Sequence, residues 1–272
     1  MKKLIDIIKF IVIGIIQGLT EILPISSSGH LAIAYDLLKI DSTNQLDITI
    51  YLHLASSIAL CLFFKNQILQ MIKGFFNFVF LKKKEYKEDF NLAIYLVLAS
   101  IPICIVGFFL KPLVEKFFTN LIFVACGFIL TSFILFISSK LKENKESKYT
   151  FKNTFITGCI QCFSVFPGIS RSGITLFGSK VAKLEAKKGK EFTFLLLIPI
   201  SLGSTILSIF DCNFASQFAQ NTIYLYFIAM CTAFVATRIA LKLFFKEKNT
   251  INYKYYALYL LFLGIFSLIY YL

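Results

Sequence analysis

Residues 14–29 read GIIQGLTEILPISSSG, and residues 158–173 read GCIQCFSVFPGISRSG. The second stretch falls on the first at an offset of 144 without a gap. Seven of the sixteen positions are identical: Gly14/Gly158, Ile16/Ile160, Gln17/Gln161, Ile25/Ile169, Ser26/Ser170, Ser28/Ser172 and Gly29/Gly173. Shared apolar composition raises chance matches, but it does not explain matched Gln, Ser and Gly. The same offset pairs Asp47 with Glu191, Thr49 with Thr193, Leu52 with Leu196 and Ser57 with Ser201. The chain therefore reads as one membrane domain, 1–272, made of two related halves, repeat 1 over 1–138 and repeat 2 over 150–272.

Both motifs sit in strongly apolar surroundings. The chain is 57% hydrophobic, with a mean hydropathy of +0.76, far outside soluble usage. Apolar stretches near 4–23, 47–64, 90–110, 118–138, 151–166, 191–210, 222–244 and 253–271 approach or reach membrane-crossing length, about 20 residues. The N-terminal stretch lacks a small-residue cleavage site and is read as the first membrane segment. Net charge is +13, and 26 of the 28 basic residues are Lys, mostly in short loops. Loop lysines fit the positive-inside bias and attraction to anionic lipid. No basic soluble face is left to carry nucleic acid, so that partner is excluded. Cys159 and Cys162 form a CxxC without a second Cys or His pair nearby, and are expected to be buried small hydrophobes.

Charge decides whether the repeated motifs span or dip in and return. If every apolar segment crosses, the lysines divide almost evenly between the two sides. If residues 10–23 with 25–38, and 153–166 with 169–182, are re-entrant hairpins, the division changes. Arms of 14 residues reach about 21 Å, enough for the midplane but not for a crossing. Loops 65–89, 139–152, 180–190 and 242–254 then share one side with 20 Lys, against six on the other. The positive-inside rule selects this second arrangement. Each half has one hairpin and three crossings, and an odd number inverts the second half. The expected fold is an all-α polytopic membrane protein with an inverted-topology repeat, about six transmembrane helices and two re-entrant helical hairpins. The N-terminus lies outside and the lysine-rich loops are cytoplasmic.

The hairpin tips hold the residue types that do chemistry. Glu21 is the only acidic residue well inside an apolar segment, and Gln17 shares its helix face. Pro24 stops that helix, and Ser26, Ser27, Ser28 and Gly29 open the next arm. One cap needs one hydroxyl, not three. The new helix N-terminus presents free N–H groups suited to phosphate, and Gly29 permits close backbone approach. His30, on the first turn, is an acid/base candidate near neutral pH. The second tip, PGISRSGIT (167–175), holds Arg171, one of only two arginines. An Arg on a background of lysines points to a need for its planar fork, as in bidentate phosphate binding. Ser170, Ser172, Gly173 and Thr175 add hydroxyls and backbone donors. Arg238 is read as snorkelling from a span, and His53, within the 47–64 segment, as structural. Together the tips supply an acid/base pair, hydroxyl nucleophiles and a guanidinium clamp. That inventory suits attack on a phosphorus centre, and its depth points to a phosphate tethered to a lipid.

QGLTE (17–21), PISSSGH (24–30), PGISRSGIT (167–175) and EFTFLLLIP (191–199) resemble the bacterial undecaprenyl-diphosphate phosphatase family, the bacitracin-resistance proteins. The resemblance covers nearly the whole chain. It implies hydrolysis of undecaprenyl diphosphate to undecaprenyl phosphate and inorganic phosphate. That reaction recycles the carrier lipid for peptidoglycan and cell-wall synthesis, maintains cell shape and confers bacitracin resistance. The site is implied to open toward the outer side of the bacterial cytoplasmic (inner) membrane. A divalent cation, Mg²⁺ or Ca²⁺, is the implied cofactor, with Glu21 as its ligand. The implied partners are the polyprenyl lipid and membrane lipid, and a homodimer is the candidate assembly. Carried over by motif position, Glu21, Ser27, His30 and Arg171 are the expected catalytic residues. Gln17, Ser26, Ser28, Gly29, Ser170, Ser172, Gly173 and Thr175 are the expected substrate contacts. Many members carry Glu where this chain has Gln17, which throws the burden onto Glu21. The nucleophile is Ser27, Ser26 or an activated water. Two rivals remain at this level. A second lipid-phosphatase class also uses SGH and SR, but it needs a His after the SR and an earlier Arg-Pro, both missing here. A transporter or lipid flippase would suit the inverted repeat but gives the serine cluster no task.

Overall fold

A computed structural model describes residues 2–40, 42–118, 120–142, 148–211, 223–246 and 252–272. Among these residues there are eleven α-helices and no strand. They are α1 (Lys2–Ile22), α2 (Ser27–Leu37), α3 (Ser42–Phe63), α4 (Lys65–Val79), α5 (Lys87–Phe118) and α6 (Leu121–Lys140), followed by α7 (Phe151–Gln161), α8 (Arg171–Val181), α9 (Ala186–Asp211), α10 (Ile223–Lys246) and α11 (Tyr253–Tyr271). Four segments are long and apolar enough to cross a membrane: Lys84–Val114, Leu121–Lys140, Ile223–Lys246 and Tyr253–Tyr271. A fifth candidate, Asp47–Phe63 with Lys65–Val79, is bent by 74°. The outer surface is apolar, with Phe108 and Phe109 each 74% exposed, as a lipid solvent requires. This is an all-α, multi-pass membrane protein.

The short helices fall at the two motifs. α2, α7 and α8 have 11 residues each, about 16 Å and roughly half of a hydrocarbon core. The partner arm α1 is longer than the 10–23 expected, because it starts at Lys2 and runs for 21 residues. Nothing in KKLIDIIK breaks a helix, so the arm continues outward from the apolar run. Its charge-free part, residues 10–20, is again about 16 Å long. Residues 65–79, expected to belong to a loop, form α4 instead. Cys159 is exposed and Cys162 half-buried, not buried as expected, and both are free thiols on a surface that an apolar solvent covers.

Helix packing is reciprocal between the halves. α1 packs on α10, and α7 packs on α5; α10 also packs on α3, and α5 on α9. α3 contacts α9, and α6 lies along α11. Small residues make the close approaches. A Cβ at Gly18 would lie 2.5 Å from the Ala233 carbonyl and 2.7 Å from the Thr237 nitrogen of α10. At Gly158, aligned with Gly14, a Cβ would strike the backbone of Ala99 in α5. Without a hydrophobic drive in lipid, such contacts are how membrane helices hold together.

Candidate active site

Both tips are built by the same local device. Ser26 caps α2 by accepting from the Gly29 amide (3.3 Å), and Ser170 caps α8 by accepting from the Gly173 amide (3.1 Å). In each tip the cap hydroxyl also meets the serine two residues on, Ser28 at 3.4 Å and Ser172 at 3.3 Å. The turns differ in how they reach the cap. Ser26 itself takes a left-handed backbone, φ 68°, a strained choice for a residue with a side chain. In the second tip the left-handed position is Gly168, φ 83°, which lies flat against Val124 and Gly127 of α6. Thr131 of α6 fixes that turn, donating to the Gly168 carbonyl (3.2 Å) and accepting from the Ser170 amide (3.1 Å).

The two tips touch. Ser172 donates to the Leu23 carbonyl at 3.1 Å, and a Cβ on Gly29 would lie 3.2 Å from Gly168 Cα. This contact brings the reactive groups of one half beside the cation of the other. Glu21 is almost fully buried. Its Oε2 accepts a short hydrogen bond from Ser27 Oγ and another from Gln17 Nε2 at 3.1 Å. Its Oε1 lies 3.6 Å from His53 Nδ1 of α3. Gln17 Nε2 is also 3.3 Å from His53 Nδ1 and 3.5 Å from Ser56 Oγ, and Ser56 in turn meets Thr237 of α10 at 3.1 Å. Arg171 donates to Ser201 Oγ of α9 at 3.2 Å. A buried carboxylate is tolerated in an apolar setting only with such company.

His30 has other partners than the Glu21 cluster. Its Nδ1 is 2.8 Å from the Ser26 carbonyl, and its Nε2 is 2.7 Å from the Tyr259 hydroxyl of α11. A carbonyl only accepts, so Nδ1 carries the proton and, in the neutral ring, Nε2 accepts from Tyr259. The ring stacks on Tyr259 at 5.7 Å and meets Phe128 edge-on at 5.3 Å. Thr175 is turned back along α8, donating to the Arg171 carbonyl at 2.8 Å. Of the residues expected from sequence, Gln17, Glu21 and Ser27 form one hydrogen-bonded cluster; Ser170, Ser172 and Gly173 form the cap of the second tip.

The geometry accompanies a clear relationship. The family model described as bacitracin resistance protein BacA matches residues 10–266. This chain belongs to the BacA family. It is 35% identical to an undecaprenyl-diphosphatase of Acholeplasma laidlawii over 280 aligned positions, covering all of both chains. It is 36% identical to one of Thermosipho melanesiensis over 262 residues, covering 95% of this chain and 97% of the relative. Another relative, undecaprenyl-diphosphatase of Oceanobacillus iheyensis, shares 36% over 268 residues, 97% of this chain and 96% of its own.

Beyond the motifs that mark the BacA family, the fold adds His53, Ser56, Ser201, Thr131 and Tyr259. Each comes from a helix outside the two tips. Two weak signals were present. His53 is one of only two histidines, both in apolar segments, and Ser201 is the repeat partner of Ser57.

Proposed function

We propose that this protein is a membrane phosphatase that hydrolyses undecaprenyl diphosphate to undecaprenyl phosphate and inorganic phosphate. One observation carries the reading above all others. The Ser27 hydroxyl donates to a buried carboxylate, Glu21, that is itself held by Gln17 and His53. A nucleophile bonded to a base, with the base oriented by further groups, is the arrangement that activates a hydroxyl. Arg171 and the N–H groups of the α2 and α8 N-termini supply the complementary charge for a diphosphate.

In this mechanism Ser27 Oγ attacks the terminal phosphorus as its proton passes to Glu21. The bond from that phosphorus to the bridging oxygen breaks, and undecaprenyl phosphate leaves. Water then bonds to the phosphorus as the Ser27 Oγ–P bond breaks; Glu21 returns its proton to Ser27 Oγ, and the water's protons leave with the inorganic phosphate. Arg171 holds the equatorial oxygens through both steps, and Ser201 fixes the guanidinium. His30, bonded through Nε2 to Tyr259, stands outside the Glu21–Ser27 pair. Attack by a water activated by Glu21 is the alternative first step. A divalent cation fits this setting. Glu21 would supply a carboxylate oxygen, and Gln17 Oε1 is a buried oxygen with no hydrogen-bond partner among the described residues. Hard cations take carboxylate, amide carbonyl and phosphate oxygens. Mg²⁺ or Ca²⁺ there would offset the charge of the diphosphate.

The reciprocal helix packing and the matched tips support an inverted repeat, with hairpins entering from opposite faces. The lysine asymmetry supports an N-terminus outside the bacterial cytoplasmic membrane and a site opening to that side. A place for the reaction in recycling the lipid carrier for cell-wall synthesis and in bacitracin resistance is the reading that membership of the family supports. The test is phosphate release from undecaprenyl diphosphate by purified protein in detergent with Mg²⁺, where transport cannot be scored. No release by folded protein would move the reading to a lipid transporter. Trapping phosphate on Ser27 distinguishes the covalent route, and full activity of Ser27→Ala would exclude it.

A further inference from the structure

Helix α4 lies outside the catalytic core, and its surface divides into three stripes. Met71 and Gly74 face the protein, with Gly74 packed on Asp89 of α5. Leu69, Ile72, Phe75, Phe76 and Val79 recur at helical spacing on one exposed arc, Phe76 being 55% exposed. Asn66, Gln70, Lys73 and Asn77 occupy the arc between them. Phe80 and Leu81 extend the apolar arc, and Lys82, Lys83 and Lys84 follow at once, all exposed. From Lys65 to Lys87 there are six lysines and one glutamate.

The setting of α4 limits what this surface can face. The chain bends by 74° between α3 and α4, so if α3 crosses the membrane, α4 runs near its plane. The bend is anchored by buried Phe64, packed edge-on against Phe245 at 5.5 Å. An apolar arc of this length is disfavoured in water. Full immersion would bury Lys73 and three amides. A helix with one apolar and one basic polar face satisfies both conditions only at the headgroup boundary. We propose that α4 and the 80–84 turn form a docking surface for anionic lipid headgroups. The Phe-rich arc enters the acyl boundary, and Lys73, Lys82, Lys83 and Lys84 hold the phosphates. The excess of lysine selects anionic over zwitterionic headgroups, as juxtamembrane basic clusters do.

The chain contains no tryptophan, so Phe76→Trp is a single reporter at an exposed position. Full-length protein carrying it is placed in phosphatidylcholine nanodiscs containing a minor fraction of phosphatidylglycerol. Bromines high on the acyl chain should quench the tryptophan more than bromines near its end, and aqueous acrylamide should quench it poorly. At equal mole fraction, brominated phosphatidylglycerol should quench about twofold or more above brominated phosphatidylcholine. That ratio should fall toward one in Lys82→Gln/Lys83→Gln/Lys84→Gln protein and at high salt. Strong acrylamide quenching in the bilayer, the result a soluble protein partner would give, overturns the proposal. So does strongest quenching from the chain ends, or equal quenching by the two lipids.

Discussion

Replacing Glu21 by glutamine tests the centre of the mechanism, because the isostere preserves shape while removing the base. In the structure Oε2 accepts from both Ser27 and Gln17, whereas Oε1 faces His53 Nδ1. A glutamine can keep its oxygen at the Oε2 position and donate its amide toward His53. The local network then survives, and the stability change should stay below about 2 kcal/mol, the scale of one buried hydrogen bond. Catalysis should not survive. General-base assistance is worth about 100- to 10,000-fold, or roughly 2.7–5.4 kcal/mol of barrier. Because Arg171 and the helix N-termini are untouched, at saturating divalent cation the loss should fall on kcat and leave KM nearly unchanged. Phosphate release in detergent across substrate concentrations measures both constants, and thermal unfolding of the same preparation checks the fold. If Ser27 and Glu21 act as one unit, the double variant Glu21→Gln/Ser27→Ala should be about as slow as the slower single one. A folded Glu21→Gln protein with kcat within about threefold of the parent would refute Glu21 as the base. Losses that simply multiply in the double variant would refute the paired action.

Two other outcomes follow from the geometry. Arg171→Lys keeps the charge but loses the planar fork, so KM should rise about tenfold or more with a smaller change in kcat; steady-state kinetics reads the split. Gly18→Ala places a Cβ 2.5 Å from the Ala233 carbonyl. Pushing α1 from α10 should cost about 1–3 kcal/mol. The unfolding temperature in detergent should fall, and activity with it, because Thr237, Ser56 and Gln17 lie on the same seam.

The sequence and the structure agree most closely where local chemistry sets the geometry. Pro24 ends α1 near Glu21, and Ser26 and Ser170 are the caps of the arms they precede. Those features depend on residues within a turn of one another, so a linear motif carries them. His53, Ser201 and Tyr259 were not legible in the same way. Each reaches the tips from a separate helix, through α3 packing beside α1, α9 beside α8 and α11 along α6. Their roles depend on which face of a uniformly apolar helix turns inward, and a span that is greasy all round gives no period to read. Helix α4 was missed for the opposite reason. Its lysines and asparagines read as a loop, although its apolar residues recur at helical spacing.

The matched tips give a reason for two of the nine differences between the aligned stretches. Ser26 and Ser170 cap in the same way, and each pairs with the serine two residues later. This shared frame sets the two turns against each other, Ser172 donating to the Leu23 carbonyl. Glu21 aligns with Val165, and Ser27 aligns with Arg171. Had both copies kept the carboxylate, two buried negative charges would face an anionic diphosphate, and each would oppose ionisation of the other. Had both kept the guanidinium, the site would bind the anion but hold no base within reach of a hydroxyl. One copy of each leaves Glu21 with Ser27, Gln17 and His53, and Arg171 with Ser201. In the proposed mechanism it also gives the diphosphate a clamp from one half and a nucleophile from the other. The fold needs the repeat for its frame, and the chemistry needs the repeat to be broken.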